Sequence, residues 1–187
     1  MTYLEYANWV PLPTPVTTGT TVQSFTAPDG EVWVAKNGVN SGNWYRARDV
    51  LHCNYFRSAA TTIAGQALFI YDGLTSDPYG IYNTSNGIFT ALIAGKWRIR
   101  AALGATPTAS GQYVNVLINT LGVCRANGIT HSSSTTWDGC VAETVWVMAL
   151  NDTGTVTALA GPSVTMNVRV SAAGGETTLL LDYLGTG

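Results

Sequence analysis

The chain alternates between short apolar runs and clusters of Gly, Pro, Asn, Ser and Thr, and it has no stretch with helical periodicity. β-branched residues dominate the patterned runs, which favours strands. From residue 67 onward the pattern predicts strands over 67–72, 87–92, 95–103, 112–119, 121–126, 141–150, 154–160, 163–171 and 177–184. That spacing is expected of an all-β sandwich.

Several of these runs are apolar on both faces. In Thr177–Leu184 one face carries Leu179, Leu181 and Tyr183, and the other carries Leu180, Asp182 and Leu184. Thr144–Leu150, with Trp146 and Met148, and Ala67–Tyr71, with Phe69 and Tyr71, behave the same way. An antiparallel sheet with one wet face should alternate. A strand apolar on both faces therefore needs two covers, and a second subunit is the natural source of one. The predicted subunit contact is Phe69, Tyr71, Trp146, Met148, Leu179, Leu181 and Tyr183. By contrast, residues 112–119 and 163–170 alternate, as an outer sheet should.

The first sixty residues read differently. Pro11, Pro13 and Pro15 remove backbone donors and favour extended polyproline conformation. Tyr3, Tyr6 and Trp9 are large apolar groups on a segment with no core of its own, which predicts an arm packed on a neighbour. Residues 20–58 form a small β unit. Its turns are Pro28-Asp29-Gly30 and Asn37-Gly38, where Gly supplies positive φ. The weakly patterned stretch 59–66 marks a junction, giving an attachment module over 1–60 and a head over 67–187. Trp33, Trp44, Tyr45, Arg46, Arg48 and Arg57 supply the aromatic and guanidinium groups enriched at interface hot spots. With the arm, they form the predicted partner-binding set.

Composition sharpens this picture. Charged residues are 11% of the chain, against roughly 25% in typical domains, and mean hydropathy is +0.14. No apolar run approaches the ~20 residues of a spanning helix, and residues 1–18 lack the pattern of a signal peptide. The expectation is a cytoplasmic product that oligomerises, with no membrane partner. Net charge is −2, which argues against nucleic acid as a partner. Cys53, Cys124 and Cys140 are odd in number and have no metal-site spacing, so they are expected to be reduced.

Candidate chemistry is sparse. His131, Ser132, Ser133, Ser134 and Asp138 share one loop-like stretch, which lacks the rigidity a catalytic triad requires. His52 and Cys53 are adjacent in a strand and should face opposite ways. Asp72, Asp77 and Asp152 could gather at one end of the sandwich, but without the spacing of a calcium loop. No catalytic residue, metal or cofactor is expected.

Residues 82–99, Tyr-Asn-Thr-Ser-Asn-Gly-Ile-Phe-Thr-Ala-Leu-Ile-Ala-Gly-Lys-Trp-Arg-Ile, resemble the signature of the globular heads of complement-type proteins, which share the tumour-necrosis-factor jelly roll. Leu92 replaces the usual Pro. Phe69–Asp72 is similar to the first strand of such heads. Val145–Val156 is similar to a later stretch, with its acidic residue before the Gly rather than after it. The resemblance covers about residues 67–187 and implies a ten-stranded jelly roll that forms a homotrimer. The N-terminal third has no collagen repeat. Residues 29–39 and 44–52 resemble attachment regions of minor structural proteins of tailed bacteriophages. That similarity implies a non-enzymatic capsid decoration protein on the virion surface, assembled in the bacterial cytoplasm and partnered by the major capsid protein or another virion protein. The alternative is a tail-tip or fibre protein that recognises a host surface glycan or protein.

Overall fold

A computed structural model describes residues 21–36, 43–107, 113–131, 138–161, 165–168 and 177–186, with Thr14 and Val39 besides. The described residues are all-β apart from one helical turn. In order, the elements are β1 (Gln23–Thr26), β2 (Val32–Ala35), β3 (Tyr45–Arg46), α1 (Ala47–Val50), β4 (His52–Phe56), β5 (Thr61–Ala64), β6 (Gln66–Leu68) and β7 (Gly73–Ser76). Then come β8 (Tyr82–Asn83), β9 (Ile88–Thr90), β10 (Gly95–Pro107), β11 (Tyr113–Thr120), β12 (Val123–His131), β13 (Asp138–Met148), β14 (Thr153–Ala160), β15 (Thr165–Val168) and β16 (Thr178–Gly185).

Three sheets result. β1, β2 and β3 form a small antiparallel sheet. A seven-stranded sheet runs β5-β15-β10-β16-β4-β7, with β13 on the other edge of β10. A six-stranded sheet runs β12-β11-β14-β9-β8, with β6 also on β14. The two larger sheets enclose the core, which is a jelly-roll sandwich. β10 is long enough to pair along one edge with both β16 and β15, and along the other with β13 from Gly95–Met148 to Ala105–Asp138.

The signature stretch earns its residues by packing. Tyr82 and Phe89 are cross-strand partners in β8 and β9, and both are buried. The Phe89 ring lies over Gly154, where a Cβ would sit 2.1 Å from its Cζ. Trp97 is fully buried, donates its indole N–H to the Ile93 carbonyl at 3.2 Å, and meets the Tyr183 ring edge-on at 5.4 Å. Truncating a ring so enclosed to Ala typically costs about 3–5 kcal/mol. A two-residue hairpin turn joins β11 to β12, with Leu121 at φ 50 and Gly122 at φ 75. Tight hairpins need positive φ at both positions, a strain for leucine.

Two expectations are corrected here. The sandwich begins before residue 59, because β4 lies between β16 and β7 in the seven-stranded sheet. The proposed junction is itself structured: β5 pairs with β15, and β6 pairs with β14. Small residues and threonines hid two edge strands there. β15 also belongs beside β10, in the same sheet as β16, rather than in a separate outer sheet. Alternation reports one wet face and does not say which sheet carries it.

Gly128 in β12 lies so close to β13 that a Cβ would fall 2.0 Å from the Val141 carbonyl oxygen. Backbone cannot rotate away as a side chain can. Gly128→Ala should therefore lower stability by about 1–3 kcal/mol through overpacking, read as a lower denaturation midpoint with unchanged m-value.

Candidate interaction surfaces

The small N-terminal sheet has a core of its own. Trp33 and Trp44 are buried with Ala27 and Ala35, and Phe25 packs against them. Trp44 meets Phe25 edge-on at 4.9 Å. The Arg46 guanidinium lies 5.9 Å from the Trp33 ring centre. Val32, Val34, Ala47 and Leu51 face the other way and join the main core, so the unit is docked on the sandwich rather than tethered to it.

This arrangement divides the predicted partner-binding set. Trp33 is fully buried and Trp44 nearly so, which removes both as docking groups: they stabilise the unit that was expected to use them. Arg57 is also committed internally. Its Nε donates to the Ala59 carbonyl at 2.8 Å and its Nη1 to the Ile70 carbonyl at 2.9 Å, and it pairs with Asp72 at 3.3 Å. Tyr45 remains outward at 38% exposure. Arg48 is outward too and pairs with Glu31 at 3.0 Å. Tyr3, Tyr6 and Trp9 lie outside the described residues.

The predicted subunit contact is turned inside out. Phe69, Tyr71, Met148, Leu179, Leu181 and Tyr183 are all buried inside a single chain, and Trp146 is half-buried against the same core. The strands are apolar on both faces, as expected, but these side chains occupy the sandwich face. The Arg125 guanidinium covers the Trp146 ring at 3.8 Å. Sequence periodicity separates two faces without saying which one the second sheet covers.

The opposite face of β13 is the exposed one. Val141 is 46% exposed, Val145 52% and Val147 57%, with Leu184 of β16 at 44%. The register aligns Val145 with Arg98 and then Asp182, and Val147 with Lys96. Arg98 grips Asp182 through both Nε at 3.1 Å and Nη2 at 2.6 Å. Arg100 faces Glu143 at 3.6 Å. The seven-stranded sheet thus presents an apolar stripe along β13 beside two cross-strand ion pairs.

Asp72, Asp77 and Asp152 each hold backbone N–H groups of the fold. Asp77 accepts hydrogen bonds from the Tyr55 hydroxyl at 2.9 Å and from the backbone N–H groups of Ile81 and Tyr82. Tyr82 in turn receives the Tyr71 N–H on its hydroxyl at 3.0 Å. Burial raises the Tyr82 phenol to about 12, so it stays protonated at neutral pH. Asp152 accepts the Ala149 N–H at 2.8 Å. Among the described residues no three His, Cys, Asp or Glu side chains gather to hold a metal ion. Cys53 is buried while His52 beside it is half-exposed, on opposite faces of β4. Residues 132–137 lie outside the described residues, and nothing is assigned to the side chains of His131 and Asp138.

The class these features define is a β-jelly-roll sandwich carrying a small docked β unit. Its fold is similar to the globular domain of the zebrafish complement 1qA protein, with a TM-score of 0.54 and 11% identity, covering 73% of this chain and 98% of that one. The tumour necrosis factor Eiger of S. frugiperda matches with a TM-score of 0.54 and 6% identity, covering 73% of this chain and 93% of that one. At these identities the likeness is one of fold. No protein-family profile matches the sequence, and no curated protein matches it.

Two outcomes follow from the buried groups. Burial pushes the Cys140 thiol up to about 12 and the Cys53 thiol well above its ordinary range. A thiol-specific reagent should therefore titrate Cys124 alone in the native chain and all three cysteines in denaturant, counted by mass spectrometry. For Asp72, burial raises the carboxyl, but hydrogen bonds from Ser58 and the charge of Arg57 outweigh it, and the net shift is downward. A lowered folded pKa means the stabilisation is present above the ordinary value of about 3.9 and is lost as pH falls through the folded pKa. Asp72→Asn should flatten the loss of stability on acidification below about pH 4, measured by urea unfolding at each pH.

Proposed function

We propose that the chain is a structural protein of a tailed-bacteriophage particle, a homotrimer that decorates the capsid surface and acts by binding rather than catalysis. Self-association rests on one observation. Val141, Val145, Val147 and Leu184 form an exposed apolar stripe on a sandwich that already has a complete core. Soluble monomers rarely leave such patches uncovered, and they mark contact sites. A second copy explains both the stripe and the low charge of the chain. The flanking Arg98–Asp182 and Arg100–Glu143 pairs would fix its orientation.

Attachment is assigned to the N-terminal unit, with exposed Tyr45 and Arg48 as its outward groups. The virion context is supported by the resemblance of residues 29–39 and 44–52 to phage attachment regions. Three attachment units on one trimer would engage neighbouring shell subunits together, raising avidity well above the affinity of a single unit. Bridging would stabilise the shell by mass action.

Sedimentation velocity should give a mass three times the 19.8 kDa chain. The double variant Val145→Glu/Val147→Glu should sediment as monomer with its β-sheet circular dichroism intact, since both side chains face outward. A wild-type monomer would sink the trimer. Antibodies against the chain should label the capsid surface of purified particles at many copies. Label confined to the tail tip would favour recognition of a host surface glycan or protein, and no label on particles would overturn the virion assignment.

A further inference from the structure

The outward face of the six-stranded sheet has a composition of its own. Val114, Val116 and Ile118 of β11 are buried in the core, so Asn115, Leu117 and Asn119 lie on the other face. The register sets their neighbours. Asn115 stands between Ile129 of β12 and Leu159 of β14, and Leu117 stands between Asn127 and Thr157. Leu68 of β6 extends the second row beyond Thr157. Ile129 is 51% exposed and Leu68 49%, with Leu117 and Leu159 half-buried beside them. Amides and a hydroxyl thus alternate with aliphatic groups, and none of these positions carries a charge.

One group on this face is out of balance. Asn115 is only 8% exposed, and its Oδ1 is closed off without a hydrogen-bond donor. A buried acceptor left unpaired is costly, and native folds keep few of them. Asn119, by contrast, donates from Nδ2 to the Thr157 hydroxyl at 3.0 Å, which fixes that amide on the same face. The orphaned oxygen needs a donor from outside the chain. Ile129 beside it is a surface side chain whose rotamers exchange freely, so the oxygen opens without backbone movement. We propose that this face binds an uncharged oligosaccharide laid along β11, with a sugar hydroxyl donating to Asn115 Oδ1. Sugar C–H faces would pack on Leu117, Leu159 and Ile129. Asn115 to Asn119 spans about 13 Å at roughly 3.3 Å per residue, which suits several sugar units rather than one. Other occupants fit worse. Nucleic acid needs cations, and these positions have none. Protein contacts favour Arg, Trp and Met at their centre, where this face has Asn, Thr and Leu. The β13 stripe belongs to the other sheet, so self-association there leaves the site open. The inference rests on neither the trimer nor the virion assignment.

The test is calorimetric titration of the full chain with uncharged hexasaccharides of glucose, mannose, galactose and N-acetylglucosamine, with hexagalacturonate as the charged control. At least one neutral sugar should bind with a Kd below about 1 mM. Asn115→Leu keeps the volume and removes the orphaned oxygen. It should weaken that binding about tenfold while the denaturation midpoint holds or rises, an outcome a merely structural asparagine would not give. Asn127→Ala, at an exposed position, should weaken binding several-fold, and Leu74→Ala on the other sheet should leave it unchanged. The proposal is overturned if no neutral sugar binds, if the uronate binds as tightly, or if binding is indifferent to Asn115→Leu. A loss of sedimenting mass on Ile129→Arg would assign the face to a second copy and overturn it as well.

Discussion

The edge-to-face contact of Trp97 with Tyr183 is the point from which the rest of the sandwich is organised. Trp97 sits at the start of β10 and Tyr183 near the end of β16, and the register pairs the two residues directly. A bulge between Lys96 and Trp97 sets that pairing, and Gly95, at φ 146, clears the space beside the Tyr183 ring. Once β10 is held there, its thirteen residues fix β13 on one edge and β16 and β15 on the other. β16 then carries β4, which carries β7. A chain that lost this anchor would lose the register of a whole sheet rather than one contact.

The N-terminal unit shows a different economy. Its two tryptophans are spent on a local core, while Val32, Val34, Ala47 and Leu51 are spent on the main one. The two opposite faces of β2 therefore serve two cores, which explains why Val32, Trp33, Val34 and Ala35 are all buried. Such a unit has little freedom to swing. Its outer surface is held at a fixed angle to the sandwich.

Much of the fold was legible in the sequence because period-two patterning survives wherever a strand has one covered face. β10, β11, β14 and β16 begin and end within a few residues of expectation. The expected strand over 67–72 was shifted, since Phe69 and Tyr71 are buried without being in a strand. Orientation was less legible. Leu179, Leu181 and Tyr183 were separable from Leu180, Asp182 and Leu184, yet nothing local says which trio meets the second sheet. The same blindness hid which face of Thr144–Leu150 is turned outward: Val145 and Val147 lie on it, with Val141 further along β13. Trp33 and Trp44 misled for a related reason: an aromatic suits an interface and a small core equally well, and only the Phe25 and Ala27 packing decides between them.

The near-contact of Gly128 with the Val141 carbonyl reaches beyond local packing. β12 and β13 terminate their respective sheets on the same side of the sandwich, and each pairs with one strand only among the described residues. Bare strand edges are templates on which further copies can add and grow fibrils. Here the missing side chain lets one edge press against the other, so each shields its neighbour. At this corner the sandwich therefore offers no bare backbone on which another sheet could be built.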